Sequence, residues 1–203
     1  MRLLIATHNI SKFARYKNLL SNFSNIEIVS LRDLGISVKV DEPFDTAHEN
    51  AVYKAEKYSR VSGLPTLAID ESVRTNFLPE NEQPGVYVRR FADHSKEMTD
   101  EETLSLWKTI FMKYPESNKE FIWDYSIVYL NPDSGRKEYV KAIAQSQVAD
   151  DFSGICLPGY PMSSFLIVPG TSKPHAELTD GEKLNADKAI FAKFLQNFGE
   201  WIA

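Results

Sequence analysis

Residues 2–12 of the chain, Arg-Leu-Leu-Ile-Ala-Thr-His-Asn-Ile-Ser-Lys, change abruptly from apolar to polar. The apolar run at residues 2–6 predicts a buried strand, and the spacing of the apolar side chains that follow predicts an amphipathic helix over residues 11–22. The turn between them therefore lies at the N-terminal end of a helix, where free backbone N–H groups attract anions.

Three polar side chains stand in this turn. Thr7, Asn9 and Lys12 offer a hydroxyl, an amide and an ammonium group beside the free N–H groups of the helix. Those are the donors that a triphosphate needs, and Lys12 adds a positive charge. An Asn or Ser before a helix often serves only as its cap, so the turn is a candidate phosphate site with a plain helix cap as the alternative.

A second strand, predicted over residues 66–70, ends in an acidic group. Asp70 and Glu71 follow its apolar residues, and strand ends in open α/β sheets are where ligands bind. Neighbouring carboxylates repel one another unless they are exposed or bridged by a cation, so a magnesium site is one resolution and a solvated turn is the other. A phosphate site and a metal site in one chain point to chemistry on a nucleoside polyphosphate.

Two further segments carry candidate ligands. One predicted helix carries Glu49 and Lys54 about 140° apart around its axis, so both can border a cleft without sharing a narrow stripe. The alternatives are a capping-box glutamate and an exposed surface lysine. The segment 84–91 is predicted to be a strand, in which Arg90 can grip phosphate and Phe91 can pack against a base.

The remaining pattern alternates strands and helices before a long hairpin. The other predicted elements are strands at 26–31, 121–130, 137–148 and 164–168, helices at 46–61, 99–114 and 182–198, a loop at 74–84 and a hairpin turn at 131–135. This order predicts the α/β class with a mixed sheet. We expect one domain over residues 1–203 with two lobes, the termini in one and the hairpin in the other. The hairpin aromatics Trp123 and Tyr125 are expected to pack in the core or in a dimer contact.

The composition limits the partners of the chain. Its 203 residues are 43% apolar, enough for a large core, and its net charge of −5 argues against a broad grip on a nucleic-acid polymer. No apolar run reaches the roughly 18 residues of a membrane span, and the N-terminus lacks a long apolar stretch. The single cysteine suits a reducing compartment. We therefore expect a soluble cytoplasmic protein without a membrane or nucleic-acid partner.

Taken in order, these motifs resemble the inosine triphosphate pyrophosphatase family, whose members hydrolyse non-standard purine nucleoside triphosphates to monophosphate and pyrophosphate. The matching segments are 7–12 for the family's Thr-x-Asn-x-x-Lys loop, 46–55 for its Thr-Phe-x-Glu-Asn-Ala-x-x-Lys-Ala helix, 70–72 for its Asp-Asp-Ser, 84–90 for its Pro-Gly-Val-Tyr-x-x-Arg, and 176–183 for its Ala-Glu-Leu and Glu-Lys. The resemblance covers nearly the whole chain. It implies an elongated mixed sheet flanked by helices, with a central cleft between two lobes, and a homodimer.

The resemblance also implies roles for the matching residues. Asp70 and Glu71 would be catalytic, one of them activating water, and together with Glu49 they would hold Mg²⁺. The nucleoside triphosphate would contact Thr7, Asn9, Lys12, Lys54, Ser72, Arg90, Gly159, Tyr160, Lys183, Asp187 and Lys188. The expected reaction is metal-assisted attack of water on the α-phosphorus, with Tyr160 and Phe91 packed against the base.

The departures from the family pattern fall mainly on base recognition. The family's Phe-Gly-Tyr-Asp turn is Pro-Gly-Tyr-Pro at 158–161, and its Ser-His-Arg signature, which contacts the keto edge of the purine, is Ala-Asp-Lys at 186–188. Because a site that hydrogen-bonds a base edge discriminates strongly, these changes favour a different base specificity. Glu71 also replaces the family's second Asp, moving the carboxylate by about one methylene. The alternative function is therefore a nucleotide-binding protein whose catalysis is weak or lost.

Overall fold

The structure, a computed structural model, describes residues 1–115 and 118–202. The strands are β1 (Arg2–Ile5), β2 (Glu27–Ser30), β3 (Thr66–Thr75), β4 (Glu120–Leu130), β5 (Lys137–Val148) and β6 (Leu166–Ile167). The helices are α1 (Ile10–Leu19), α2 (Ala47–Ser62), α3 (Asp100–Lys113), α4 (Asp180–Ile190) and α5 (Ala192–Trp201). Short 3-10 turns lie at Glu80–Glu82, Pro161–Ser164 and His175–Glu177.

These strands form one mixed sheet of order β2-β1-β3-β4-β5-β6. β1 runs parallel to both of its neighbours, whereas every pairing from β3 to β6 is antiparallel. The predicted α/β class with a mixed sheet is therefore confirmed. Among the described residues, no helix is both long enough and apolar enough to cross a membrane.

The sheet has a separate core on each face. On β1, Leu3 and Ile5 join a large cluster that includes aromatic residues of α1, α3 and α5, whereas Leu4 joins a smaller cluster with alanines of α2. Successive side chains of a strand point to opposite faces, and β1 is buried on both. The same alternation on β3 directs Asp70 toward α2 and Glu71 toward the opposite face.

β3 is longer than the sequence indicated. Its ladder with β4 continues through Thr75, which pairs with Phe121, so the acidic pair lies inside a strand and not at its end. Asp70 is opposite Ser126 and Glu71 is opposite Tyr125. The prediction that the strand ends at residue 70 was wrong, because β4 provides a backbone partner for each of residues 71–75.

Two other predicted elements also differ. The segment 84–91 is not a strand: after a single bridge between Gly85 and Val73 it forms tight turns, with the Arg90 N–H donating to Tyr87 O at 2.8 Å. The predicted C-terminal helix is two helices, α4 and α5, which meet at Phe191. Phe191 leaves helical geometry while burying its ring completely in the large cluster, which explains the break.

Candidate active site

Two cavities adjoin at the middle of β3. The charged cavity, about 380 Å³, is lined by Thr7, Lys39, Glu42, Lys54, Asp70 and Arg90 among others. The aromatic cavity, about 240 Å³, is lined by Arg15, Trp123, Tyr125, Tyr160, His175 and Asp187 among others. Both are also lined by Asn9, Lys12, Glu71 and Gly159, which form their shared wall.

Asn9 builds one part of this wall. Its side-chain oxygen accepts from the Lys12 N–H at 2.9 Å, which caps α1, and its amide donates to the Gly159 carbonyl at 2.9 Å. Gly159 has a φ of +78°, and a Cβ on it would stand 3.1 Å from the Asn9 side-chain oxygen. Only glycine fits this approach without strain. The turn around residue 159 is thereby fixed against the start of α1.

Lys54 is the buried centre of the charged cavity. Its ammonium group donates to Ile69 O and Asp70 Oδ1, each at 2.8 Å, and to Glu42 Oε1 at 3.0 Å. Burial opposes its charge, but Asp70 and Glu42 together raise the pKa of Lys54 above its ordinary value. Burial likewise raises the pKa of Glu42, but Lys54, with Lys12 and Arg90, more than offsets this, so the pKa of Glu42 is lowered overall. Lys54 therefore stays charged between two carboxylates.

Glu71 has a lysine of its own. It lies 3.3 Å from Lys12 Nζ, and both side chains are largely buried. The repulsion expected between Asp70 and Glu71 is thus relieved by strand alternation, because the two carboxylates point to opposite faces and each has a separate cation. Glu71 stands where the charged and aromatic cavities meet.

The carboxylates of the charged cavity are the candidate donors for a metal ion. Within residues 1–115 and 118–202, no three His, Cys, Asp or Glu side chains are grouped so that they could hold an ion alone. Asp70 Oδ2, however, is buried and has no hydrogen-bond partner among those residues, and Glu42 shares a lysine with Asp70. Magnesium is commonly held by one or two carboxylates together with substrate phosphates. These donors fit such a shared site.

The aromatic cavity contains a buried ion pair. Arg15 Nε lies 3.4 Å from Asp187 Oδ1, and its guanidinium lies 5.4 Å from the Tyr160 ring centroid and 6.0 Å from that of Tyr125. Burial raises the pKa of Asp187, with Arg15 opposing the shift. The walls of this cavity are therefore aromatic, and its ion pair places a hydrogen-bond donor, Arg15, beside an acceptor, Asp187.

Comparison with known proteins agrees with this architecture. The sequence profile of the Ham1 family matches residues 3–190. The chain belongs to the Ham1 family. A protein from Clostridium perfringens named dITP/XTP pyrophosphatase is 27% identical over 189 residues, which is 90% of this chain and 88% of that protein. One of the same name from Christiangramia forsetii is 26% identical over 198 residues, covering 97% of this chain and 98% of that protein.

Solved structures support the fold. A HAM1 protein from Coxiella burnetii has a TM-score of 0.75 at 23% identity, covering 98% of this chain and 99% of that one. The Staphylococcus aureus Ham1 protein has a TM-score of 0.70 at 22% identity, with full coverage of both chains. The resemblance drawn from the sequence motifs is confirmed at the level of the family.

In this Ham1-family chain most predicted site residues are brought together. The predicted residues that line the charged cavity are Thr7, Asn9, Lys12, Lys54, Asp70, Glu71, Arg90 and Gly159. Tyr160, Lys183 and Asp187 line the aromatic one. Ser72 and Lys188 line neither cavity, and Phe91 stacks on Trp107 in the core with ring centroids 5.5 Å apart. The predicted contact of Phe91 with a base does not agree with that position.

Glu49 also lies elsewhere. Its carboxylate accepts a hydrogen bond from the Thr46 hydroxyl at 2.6 Å, and it lines a separate groove beside Tyr139. Since Glu49 and Lys54 are well separated around the axis of α2, burying Lys54 in the cavity turns Glu49 outward. Glu42 lines the charged cavity instead, with its carboxylate 3.0 Å from the Lys54 ammonium group. It lies in an irregular segment before α2, where no periodic pattern marks it.

Sequence reasoning also missed the main residues of the aromatic cavity in this Ham1-family chain. Trp123 and Tyr125 were expected in the core or in a dimer contact; they do belong to the large core cluster, and they also line the cavity, which was not expected. Arg15 follows Lys12 by three residues on α1, so it lies on the same helical face, and that spacing could have identified it. His175 has no comparable local signal.

Proposed function

We propose that this chain hydrolyses a nucleoside triphosphate to nucleoside monophosphate and pyrophosphate. One observation carries the proposal: the aromatic cavity and the charged cavity adjoin each other at the carboxylate of Glu71. A base fits the first cavity and a polyphosphate the second, which sets the α-phosphorus beside their shared wall. The relatives named dITP/XTP pyrophosphatase, which match this chain over most of its length, support the assignment.

The phosphate chain would be held by the start of α1 and by the cationic side chains around it. Thr7 and Asn9 lie at the N-terminal end of α1, and Lys12 and Arg90 line the same cavity. Cations and helix N–H groups stabilise the charge that develops on a leaving pyrophosphate. Lys54 has all three of its donors engaged within the protein, so its contribution is to fix Asp70 and Glu42 in place.

Glu71 is our choice for the residue that activates water. Asp70 Oδ1 is bound by Lys54 in a buried position, whereas Glu71 stands at the wall where the α-phosphorus would lie. Glu71 would accept a proton as the water oxygen attacks that phosphorus, and the bond from the phosphorus to the bridging oxygen would break with pyrophosphate leaving. Mg²⁺, held by Glu42 and Asp70, would supply Lewis-acid stabilisation of the phosphate oxygens.

The test measures pyrophosphate release from a panel of nucleoside triphosphates with Mg²⁺ in ¹⁸O-enriched water. We expect ¹⁸O in the monophosphate and none in pyrophosphate. Glu71→Gln and Glu42→Gln should each lower kcat by roughly a hundredfold or more. Glu49→Gln is the matched control on α2, and it should stay within about twofold of the parent because its carboxylate faces away from the cavity.

Other outcomes identify the alternatives. Calorimetric binding of nucleotides without turnover of any of them would favour the nucleotide-binding protein. A large loss in Glu49→Gln with none in Glu42→Gln would return the metal site to the residue first predicted from the sequence.

We also propose that the protein acts as a cytoplasmic homodimer. The exposed faces of β4 and β5 carry Ile122, Tyr139 and Ile143, each at least 40% exposed, beside charged residues. Such a face suits contact with a second copy. Light scattering on the purified protein measures the assembly directly, and a monomer at micromolar concentration would reject the dimer.

A further inference from the structure

Three buried polar atoms in the aromatic cavity have no hydrogen-bond partner among the described residues. They are Nε1 of Trp123 and both ring nitrogens of His175, in side chains of residues that are only 4% and 5% exposed. Buried polar groups in native proteins are nearly always satisfied, so groups left unpaired in a cavity indicate a polar ligand. The proposed phosphate contacts use none of the three.

His175 offers both kinds of hydrogen bond. Burial lowers its pKa to about 3, helped by the nearby charges of Arg15 and Lys183, so the ring is neutral near pH 7. A neutral imidazole has one N–H donor and one acceptor nitrogen. Trp123 can only donate. The cavity therefore presents donors from Trp123, His175 and Arg15, and acceptors from Asp187 and His175.

The acceptor is the unusual feature of this cavity. Asp187 is 8% exposed, and its recorded polar contact is the 3.4 Å ion pair to Arg15. A carboxylate accepts N–H groups and repels carbonyl oxygens, whereas a guanidinium does the reverse. Side by side, Arg15 and Asp187 complement a base edge on which a carbonyl oxygen lies next to N–H groups.

We infer that the aromatic cavity recognises a guanine-type base, a 6-oxo-2-aminopurine. Asp187 accepts from the ring N1–H and the 2-amino group, and Arg15 donates to the 6-oxo oxygen, the contact that arginine commonly makes with guanine. Tyr160 provides an aromatic wall for the base. The inference rests on the proposed function, since it assigns the aromatic cavity to the base of the nucleotide.

The 6-oxopurines test this arrangement because three of them carry different groups at C2, on the edge that Asp187 would contact. Guanine carries an amino group there, hypoxanthine a hydrogen and xanthine a carbonyl oxygen. The amino group of guanine donates to Asp187, and hypoxanthine makes no hydrogen bond at that position. The C2 carbonyl oxygen of xanthine is repelled by the Asp187 carboxylate, because both groups are acceptors. We expect kcat/KM to fall in the order guanosine, inosine and xanthosine triphosphate, with roughly ten- to a hundredfold between the first and last.

Asp187→Asn is the decisive variant. An asparagine amide can donate to the C2 carbonyl of xanthine, so the ratio of kcat/KM for guanosine over xanthosine triphosphate should fall by about tenfold. The ratio is taken within one preparation, so it does not depend on the fraction of protein that is folded. Asn185→Ala, on the exposed side of α4, is the control and should leave the ratio unchanged.

Two results would overturn the inference. One is a parent protein that turns over xanthosine triphosphate as well as or better than guanosine triphosphate, and the other is a ratio that Asp187→Asn does not change. Either would leave the proposed pyrophosphatase function standing. If no nucleotide releases pyrophosphate, that function fails, and calorimetric titration with guanosine, inosine and xanthosine monophosphates still tests base recognition through the same order of affinity.

Discussion

Lys54 is the buried cation that pairs with both Asp70 and Glu42 in the charged cavity. Replacing it with methionine keeps the aliphatic stem but leaves the buried Asp70 and the half-buried Glu42 without their shared cation. Breaking a buried ion pair from one side costs about 3 kcal/mol or more, so the free energy of unfolding of Lys54→Met should fall by that amount. Denaturant titration measures it.

The paired change separates charge from packing. Adding Asp70→Asn to Lys54→Met removes one of the two carboxylates left without a cation. The free energy of unfolding of the double variant should therefore be about 1 kcal/mol higher than that of Lys54→Met. Lys57→Ala, at an exposed position on α2, is the control and should have little effect. A double variant less stable than Lys54→Met would mean that the loss comes from packing and not from uncompensated charge.

Gly159 is the second residue whose identity is fixed by geometry. Alanine at this position would combine a φ of +78° with a Cβ 3.1 Å from Asn9. We expect Gly159→Ala to lower stability by about 1–2 kcal/mol and to raise KM, because the shared wall of the cavities moves. Gly154→Ala, whose added Cβ would have no atom of the described residues within 4 Å, is the control. If the two variants had the same stability and the same KM, the shared wall would not depend on glycine at position 159.

Elements differ in how far their own sequence determines them. The helix predicted over residues 99–114 begins where it was expected, because Thr99 and Glu102 form a capping box at the start of α3. The strand that contains Asp70 and Glu71 was predicted five residues too short, because its polar continuation is paired by a strand fifty residues away. Local chemistry therefore predicts helix starts well, but it underestimates a strand whose partner is distant.

α3 also supports the site through its first residue. Asp100 accepts from Arg89 at 2.7 Å and from the Gly159 N–H at 2.9 Å, which ties two cavity-lining segments to one helix start. Asp100→Asn keeps one acceptor and loses the other, so we expect a loss of about 1–2 kcal/mol and a severalfold rise in KM. Glu101→Gln removes the same charge from the same helical turn without either contact. If both variants behave alike, the effect is that of the helix dipole alone.

At the scale of the whole molecule, the phosphate side of the site was more predictable than the base side. The turn before α1 combines Thr7, Asn9 and Lys12 within six residues, so its chemistry is visible in a short window. The aromatic cavity instead takes Arg15 from α1, Trp123 from β4 and His175 from a turn near the C-terminal helices. Only the fold brings these together, and Glu42 was missed for the same reason.

The buried histidine of that cavity should make the stability of the whole protein sensitive to acid. His175 has a pKa of about 3 in the folded protein and an ordinary value near 6.5 when unfolded. Below pH 6.5 the unfolded chain therefore binds a proton that the folded chain does not, and stability falls as the pH is lowered toward 3. The loss is about 1 kcal/mol per pH unit in this window.

Comparing the parent with His175→Gln isolates this contribution, because glutamine is polar but never titrates. Between pH 6 and pH 4 the variant should lose less of its free energy of unfolding than the parent, by roughly 2 kcal/mol. Buried carboxylates such as Asp187 contribute alike to both proteins and cancel in the difference. The imidazole NMR signals of the parent should stay constant from pH 8 to pH 4. A midpoint near pH 6.5 would mean that the ring is solvated, and would remove His175 from the groups available to a base.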